Sequence, residues 1–131
     1  MRRKKIISVA IALFLIVSTA VIAANKPAKT KANKMPDNVH AIIKKSCFGC
    51  HNTNSQNEDA KEDLDFNKLE GLSKMQKIGA YKDIIDVVEE NEMPPEKFVQ
   101  KHADKKLTAA EKKTLIDWAK KEANALMKAK K

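Results

Sequence analysis

Cysteine is scarce in this sequence of 131 residues: there are two, Cys47 and Cys50. Small exported domains often add several disulfides to a limited core, but a single pair three residues apart cannot staple distant parts of a chain. Arginine is missing after Arg3. Nucleic-acid binders concentrate Arg and Lys on a folded surface with aromatics between them, so this pattern argues against that class. Large aromatics are also few, with one Trp and one Tyr, and the core they could build alone is thin. No segment alternates apolar and polar residues as a half-buried strand does, and no repeat is visible. Sheet-based folds are therefore disfavoured, and the expected class is all-α.

The N-terminus carries a different signal. Met1–Lys5 is cationic, Ile6–Val17 is an apolar run, and small residues follow it. That order is a secretory signal peptide, with Val21 and Ala23 placed for cleavage after Ala23. No cysteine lies near the cut, which excludes a lipoprotein anchor. The competing reading is an uncleaved membrane anchor, because the uncharged stretch extends from Ile6 to Ala24, close to the ~20 residues a spanning helix needs. On either reading the remainder is exported. The formal charge of +9 is concentrated at the two ends. Between Asp37 and Asp117 acids slightly outnumber lysines, so the body is mildly acidic.

Organisation along the chain follows from helical periodicity. Residues 24–36 are a Lys/Ala/Asn/Pro linker without hydrophobic period. A first helix is expected from Asp37 or Asn38, with Val39, Ile42, Ile43 and Ser46 on one face. The polar stretch Asn52–Asp63 reads as a loop, and Leu64–Phe66 restores an apolar contact. A second helix, capped by Ser73, should run to about Asn91, with Ile78, Tyr81, Ile84 or Ile85, and Val88 inward. Pro94 and Pro95 end it and disfavour a helical conformation at Met93. The last helix opens on a T-x-x-E capping box, Thr108 to Glu111, and carries Leu115, Trp118, Ala119, Glu122 and Leu126. The expected domains are a signal peptide or anchor over 1–23, a linker over 24–36, a folded domain over 37–127 and a basic tail over 128–131.

Both cysteines belong to one string, Cys47-Phe48-Gly49-Cys50-His51. C-x-x-C-H in an exported chain reads as a covalent c-type haem site. Two thiols one tight turn apart can each add to a vinyl group of the same porphyrin. The adjacent His51 can then present its imidazole to the iron as the proximal ligand. A flat apolar macrocycle would also fill the thin core. Three other readings compete. A thioredoxin-like pair calls for a βαβ pattern, which is absent. Structural zinc needs further ligands, and His40 and His102 are not spaced to supply them. A plain disulfide needs no following histidine.

The sixth iron ligand has several candidates: Met35, Met75, Met93, Met127, His40 and His102, or an open position. Met93 stands in Asn91-Glu92-Met93-Pro94-Pro95-Glu96, a non-helical segment that two prolines stiffen, and is favoured. Met35 lies in the linker, Met75 early in a helix where packing is the usual role, and Met127 near a chain end. His102 reads as a surface histidine, and Trp118 as a core anchor against the Val39/Ile42/Ile43 face or the haem edge.

The strings "SCFGCHN", "LDF", "VVEENEMPP" and "HADKKLTAAEKKTLIDWA", spanning about residues 38–120, resemble the exported haem-binding domain family related to class I c-type cytochromes. C-x-x-C-H is common to all c-type cytochromes, whereas the EMPP segment and the terminal helix pattern are more specific. The resemblance implies a small helical fold around one haem c, with His51 proximal and Met93 distal. The chain departs from the pattern between the motif and "LDF", where similar proteins carry a longer Trp- and Pro-rich segment. The function expected is single-electron transfer by a periplasmic, monomeric mono-haem cytochrome whose partners are redox proteins, with membrane contact only through an uncleaved N-terminus. A haem-based ligand sensor with an open sixth position is the alternative. A peroxidase-type enzyme lacks the acid–base pair it would need, so no catalytic residue is expected.

Overall fold

The computed structural model describes residues 35–129; the expected signal peptide, nearly all of the linker and the last two residues of the tail lie outside them. Among the described residues the elements are five α-helices and two short 3₁₀ turns, with no strand. The all-α expectation holds. Helix α1 spans Asp37–Ser46, α2 Glu58–Asp63, α3 Lys74–Glu89, α4 Glu96–Lys101 and α5 Ala109–Lys128. The 3₁₀ turns are Leu69–Gly71 and Ala103–Lys105. None of these helices is long and apolar enough to cross a membrane.

The three long helices form where apolar periodicity and end signals agree. Helix α1 buries Val39, Ile42, Ile43 and Ser46. Helix α3 opens on a full capping box, in which Ser73 accepts from the Gln76 N–H and the Gln76 side chain accepts from the Ser73 N–H. Helix α5 opens on the Thr108/Glu111 box. Each box satisfies two backbone N–H groups that the first turn would leave unpaired.

Packing is dominated by α3 against α5, with α1 against α5 as a smaller second interface. Tyr81 of α3 meets Trp118 of α5 edge to face, with ring centroids 5.2 Å apart and planes at 89°, an arrangement aromatic quadrupoles favour. Trp118 is buried, as a core anchor should be, and its ring partner is Tyr81 of α3, where the α1 face or the haem edge was expected. The burial of Ala119 and Ala123 brings the α5 backbone close to its neighbours, and Ala123 rather than Glu122 completes the buried stripe. Met35, placed by composition in the linker, packs against this core.

Two elements differ from the sequence reading. The Asn52–Asp63 loop contains α2, which buries none of its residues and so shows no apolar period. Its signals are an Asn57 cap accepting from the Ala60 N–H and acids in the first turn, where the helix dipole favours them. Helix α4 follows directly on Pro95 and is likewise too short to show a period.

Candidate functional site

The Cys47–His51 string is where α1 runs out. Ile43 O accepts from both Cys47 N and Phe48 N at 2.8 Å, and Cys47 O accepts from Cys50 N and His51 N at 3.1 Å. The chain therefore coils once more after the helix, which keeps both thiols and the imidazole together. The Asn52 side chain locks the exit. Its Nδ2 donates to Phe48 O at 2.5 Å, while its Oδ1 accepts from Asn54 N at 2.8 Å.

His51 is oriented from across the loop. Its Nδ1 lies 3.1 Å from Leu64 O. A carbonyl oxygen can only accept, so Nδ1 carries a proton, and in the neutral ring the lone pair is then on Nε2. A ligating histidine requires this arrangement: one nitrogen fixed by a backbone carbonyl, the other free to bind metal. Phe66 stands edge-on to the ring at 6.3 Å, and Phe66 N donates to His51 O at 3.2 Å. The loop is tied further by Thr53 Oγ1, which donates to Asp65 at 2.7 Å. Burial alone would raise the Asp65 carboxyl. Thr53, the Asn67 N–H and Lys68 more than offset that, and hold it below the usual carboxylate range.

Met93 reaches the same place from the other side. Helix α3 ends in a left-handed turn at Asn91, φ 62°, and Glu92 N and Met93 N both donate to Val87 O at 2.9 and 3.1 Å. With Asn91 N donating to Val88 O at 3.4 Å, this is a Schellman motif. The Met93–Pro94 peptide is cis.

Two hollows of about 290 and 280 Å³ share Cys47, His51 and Met93 in their walls. The first is lined by Ile43, Leu64, Phe66, Ile84, Val88 and Leu115 and has Asp63 and Asp83 on it. The second adds Cys50, Ser46, Asn57, Ala60, Pro94 and Phe98, with Lys44, Lys45 and Lys105. Together they fall within the roughly 300–1,000 Å³ of small-molecule sites. Asp63 and Ala60 of helix α2 stand on the first and second hollow respectively.

The four site residues expected from sequence therefore line one place. The other sixth-ligand candidates do not. Met75 is 73% and Met127 50% exposed, so Met75 does not pack as a methionine early in a helix usually does. His102 is exposed and rests on Phe98, centroids 4.7 Å apart. Met35 and His40 line a separate hollow behind Phe66.

The chemistry of this donor set fits a haem better than its rivals. Burial pushes the Cys47 thiol up to about 11, against the opposing charge of Lys45. A thioredoxin-type attacking thiol requires the reverse shift. Among the described residues no three His, Cys, Asp or Glu side chains gather to hold a bare metal ion. What is present is an apolar slot with one imidazole, one thioether and two thiols on it. The one buried side-chain polar atom without a hydrogen-bond partner among the described residues, Ser46 Oγ, belongs to a residue of the same wall.

Periodicity pointed inward for Ile84, Val88 and Leu115 without indicating that they line a cavity. Leu64 O and Asn91 left no chemical signature, although Asn just after a helix is a known left-handed cap.

Comparison with known families gives a match to the Haem-binding domain over residues 56–121, half of the chain, beginning after the Cys47–His51 motif. No curated protein and no solved structure matches.

Proposed function

The chain belongs to the Haem-binding domain family, and from that premise we propose that it is an exported mono-haem c-type cytochrome that passes single electrons between redox proteins. When bound, the haem supplies a one-electron iron couple. Cys47 and Cys50 hold it through thioethers, which keeps it from being lost by dilution outside the cytoplasm. His51 offers Nε2 as the proximal ligand, its ring held by Leu64 O. Met93 offers its thioether as the distal ligand, a pairing with histidine that raises the reduction potential. Ile84, Val88 and Leu115 exclude water from the slot. Gly49 is exposed and Cys47 and Cys50 are half-buried, so the attachment edge lies at the surface, where a partner protein can approach. With His51 and Met93 both engaged, no position remains for a substrate, and the protein is not an enzyme. It acts as a monomer in the periplasm.

The observation that carries this reading is the His51 Nδ1–Leu64 O hydrogen bond beside a slot that also has Met93 on it. The test is Met93→Ala in the haem-loaded protein. The reduction potential should fall and the ferrous protein should bind carbon monoxide rapidly. A spectrum and potential identical to the parent would remove Met93 from the ligand set.

A further inference from the structure

We propose that Lys112 and Asn91 form a latch that fixes how tightly Met93 is held, acting as positioning residues; this rests on Met93 being the distal ligand. The Lys112 ammonium, on α5, donates to Asn91 Oδ1. Asn91 is the left-handed residue on which the α3 exit turns. Two residues later comes Met93, whose N–H shares the Val87 carbonyl with that of Glu92. The turn from Glu90 to Pro95 buries little. Glu90, Asn91, Glu92 and Pro95 are exposed, and only Met93 and Pro94 are half-buried. Among the described residues, Lys112 provides the side-chain hydrogen bond that reaches this turn from another helix. Two turns along the same α5 helix, Lys120 pairs with Glu89 at 2.8 Å and fixes the last residue of α3.

The physical consequence concerns a neutral ligand. A thioether carries no charge to draw it to the metal, so its residence depends on how the backbone presents it. The Val87 carbonyl sets the local shape of the turn. The latch sets where that shape sits relative to α5, whose Leu115 forms part of the slot wall. Lys112 is half-buried, while its contact with Asn91 is exposed.

Carbon monoxide binding to the haem-loaded ferrous full chain tests this, because the gas must wait for Met93 to leave. Lys112→Ala should speed binding by roughly two- to tenfold, the range set by one ordinary net hydrogen bond. Asn91→Gly separates side chain from backbone, since glycine takes a positive φ freely but has no Oδ1. It should speed binding equally, and the double variant should be no faster than either single one. Lys112→Arg should restore a rate near the parent's. Parent-like rates in both single variants, or independent multiplying effects in the double, would overturn the latch. If Met93→Ala itself bound carbon monoxide no faster than the parent, the distal assignment would fall, and the latch with it.

Discussion

Glu111 joins two structures at once, and its removal can be dissected. As the third residue of α5 it accepts from the Thr108 N–H at 2.8 Å, closing the capping box. Its carboxylate also meets Lys45 Nζ at 2.7 Å, with side chains 25% and 31% exposed respectively. Lys45 stands two residues before Cys47 and donates as well to Lys106 O at 3.1 Å. Glu111→Ala loses the reciprocal half of the cap and the ion pair. Cap losses run about 0.5–2 kcal/mol, and a partly exposed pair adds about 0.5–1 kcal/mol after solvent screening. The expected total is about 1–3 kcal/mol. Glu111→Gln keeps a capping-box acceptor and should lose only the pair, about 0.5–1 kcal/mol. Denaturant unfolding of the loaded protein, followed by circular dichroism, measures both.

The pH dependence gives an independent check on the same residue. The Lys45 contact first, then the Thr108 N–H, holds the Glu111 carboxyl below its ordinary value. Its charge therefore stabilises the fold fully above the unfolded value of about 4.3, and that contribution is lost as pH falls through the lower folded value. The gap between parent and Glu111→Gln should be present at neutral pH and should close in acid. Equal losses for Ala and Gln, or a gap unchanged by acid, would refute this account of how α1 is tied to α5.

Two further outcomes follow from the loop and from α3. Thr53→Val removes a hydroxyl that holds Asp65 ionised; since Asp65 stabilises above its unfolded value and loses effect as pH falls through its depressed folded value, the acid-unfolding midpoint of the variant should move to higher pH. Gly79, within α3, has nothing within 4 Å of where a Cβ would stand, so Gly79→Ala should raise stability by about 0.5–1 kcal/mol in a denaturant titration.

The long helices were legible because each has a buried stripe and a marked beginning. Ser73 and Thr108 declare α3 and α5 before any apolar residue is counted. Helices α2 and α4 were not legible, since six residues without a buried face produce no period to detect. The Cys47, Cys50 and His51 cluster could be read because residues this close in sequence share one turn, as the hydrogen bonds onto Cys47 O show. Leu64 O could not, because backbone carbonyls are common to every residue and only the folded loop selects one. Met93 was favoured for the prolines after it. What positions it lies before it, in the left-handed Asn91 and the twice-used Val87 carbonyl. The Tyr81–Trp118 pair was hidden for a related reason: periodicity says which way a side chain faces, but not which partner it meets.

The central claim is that a porphyrin is bound through Cys47 and Cys50. The direct measurement expresses the chain with a cytochrome c maturation apparatus, denatures it, and asks whether haem colour migrates with the polypeptide on a gel and resists acidified organic solvent. The expected result is colour that stays with the chain and is lost when both cysteines are replaced by alanine. A colourless polypeptide, with all of its haem extracted into the solvent, would contradict it.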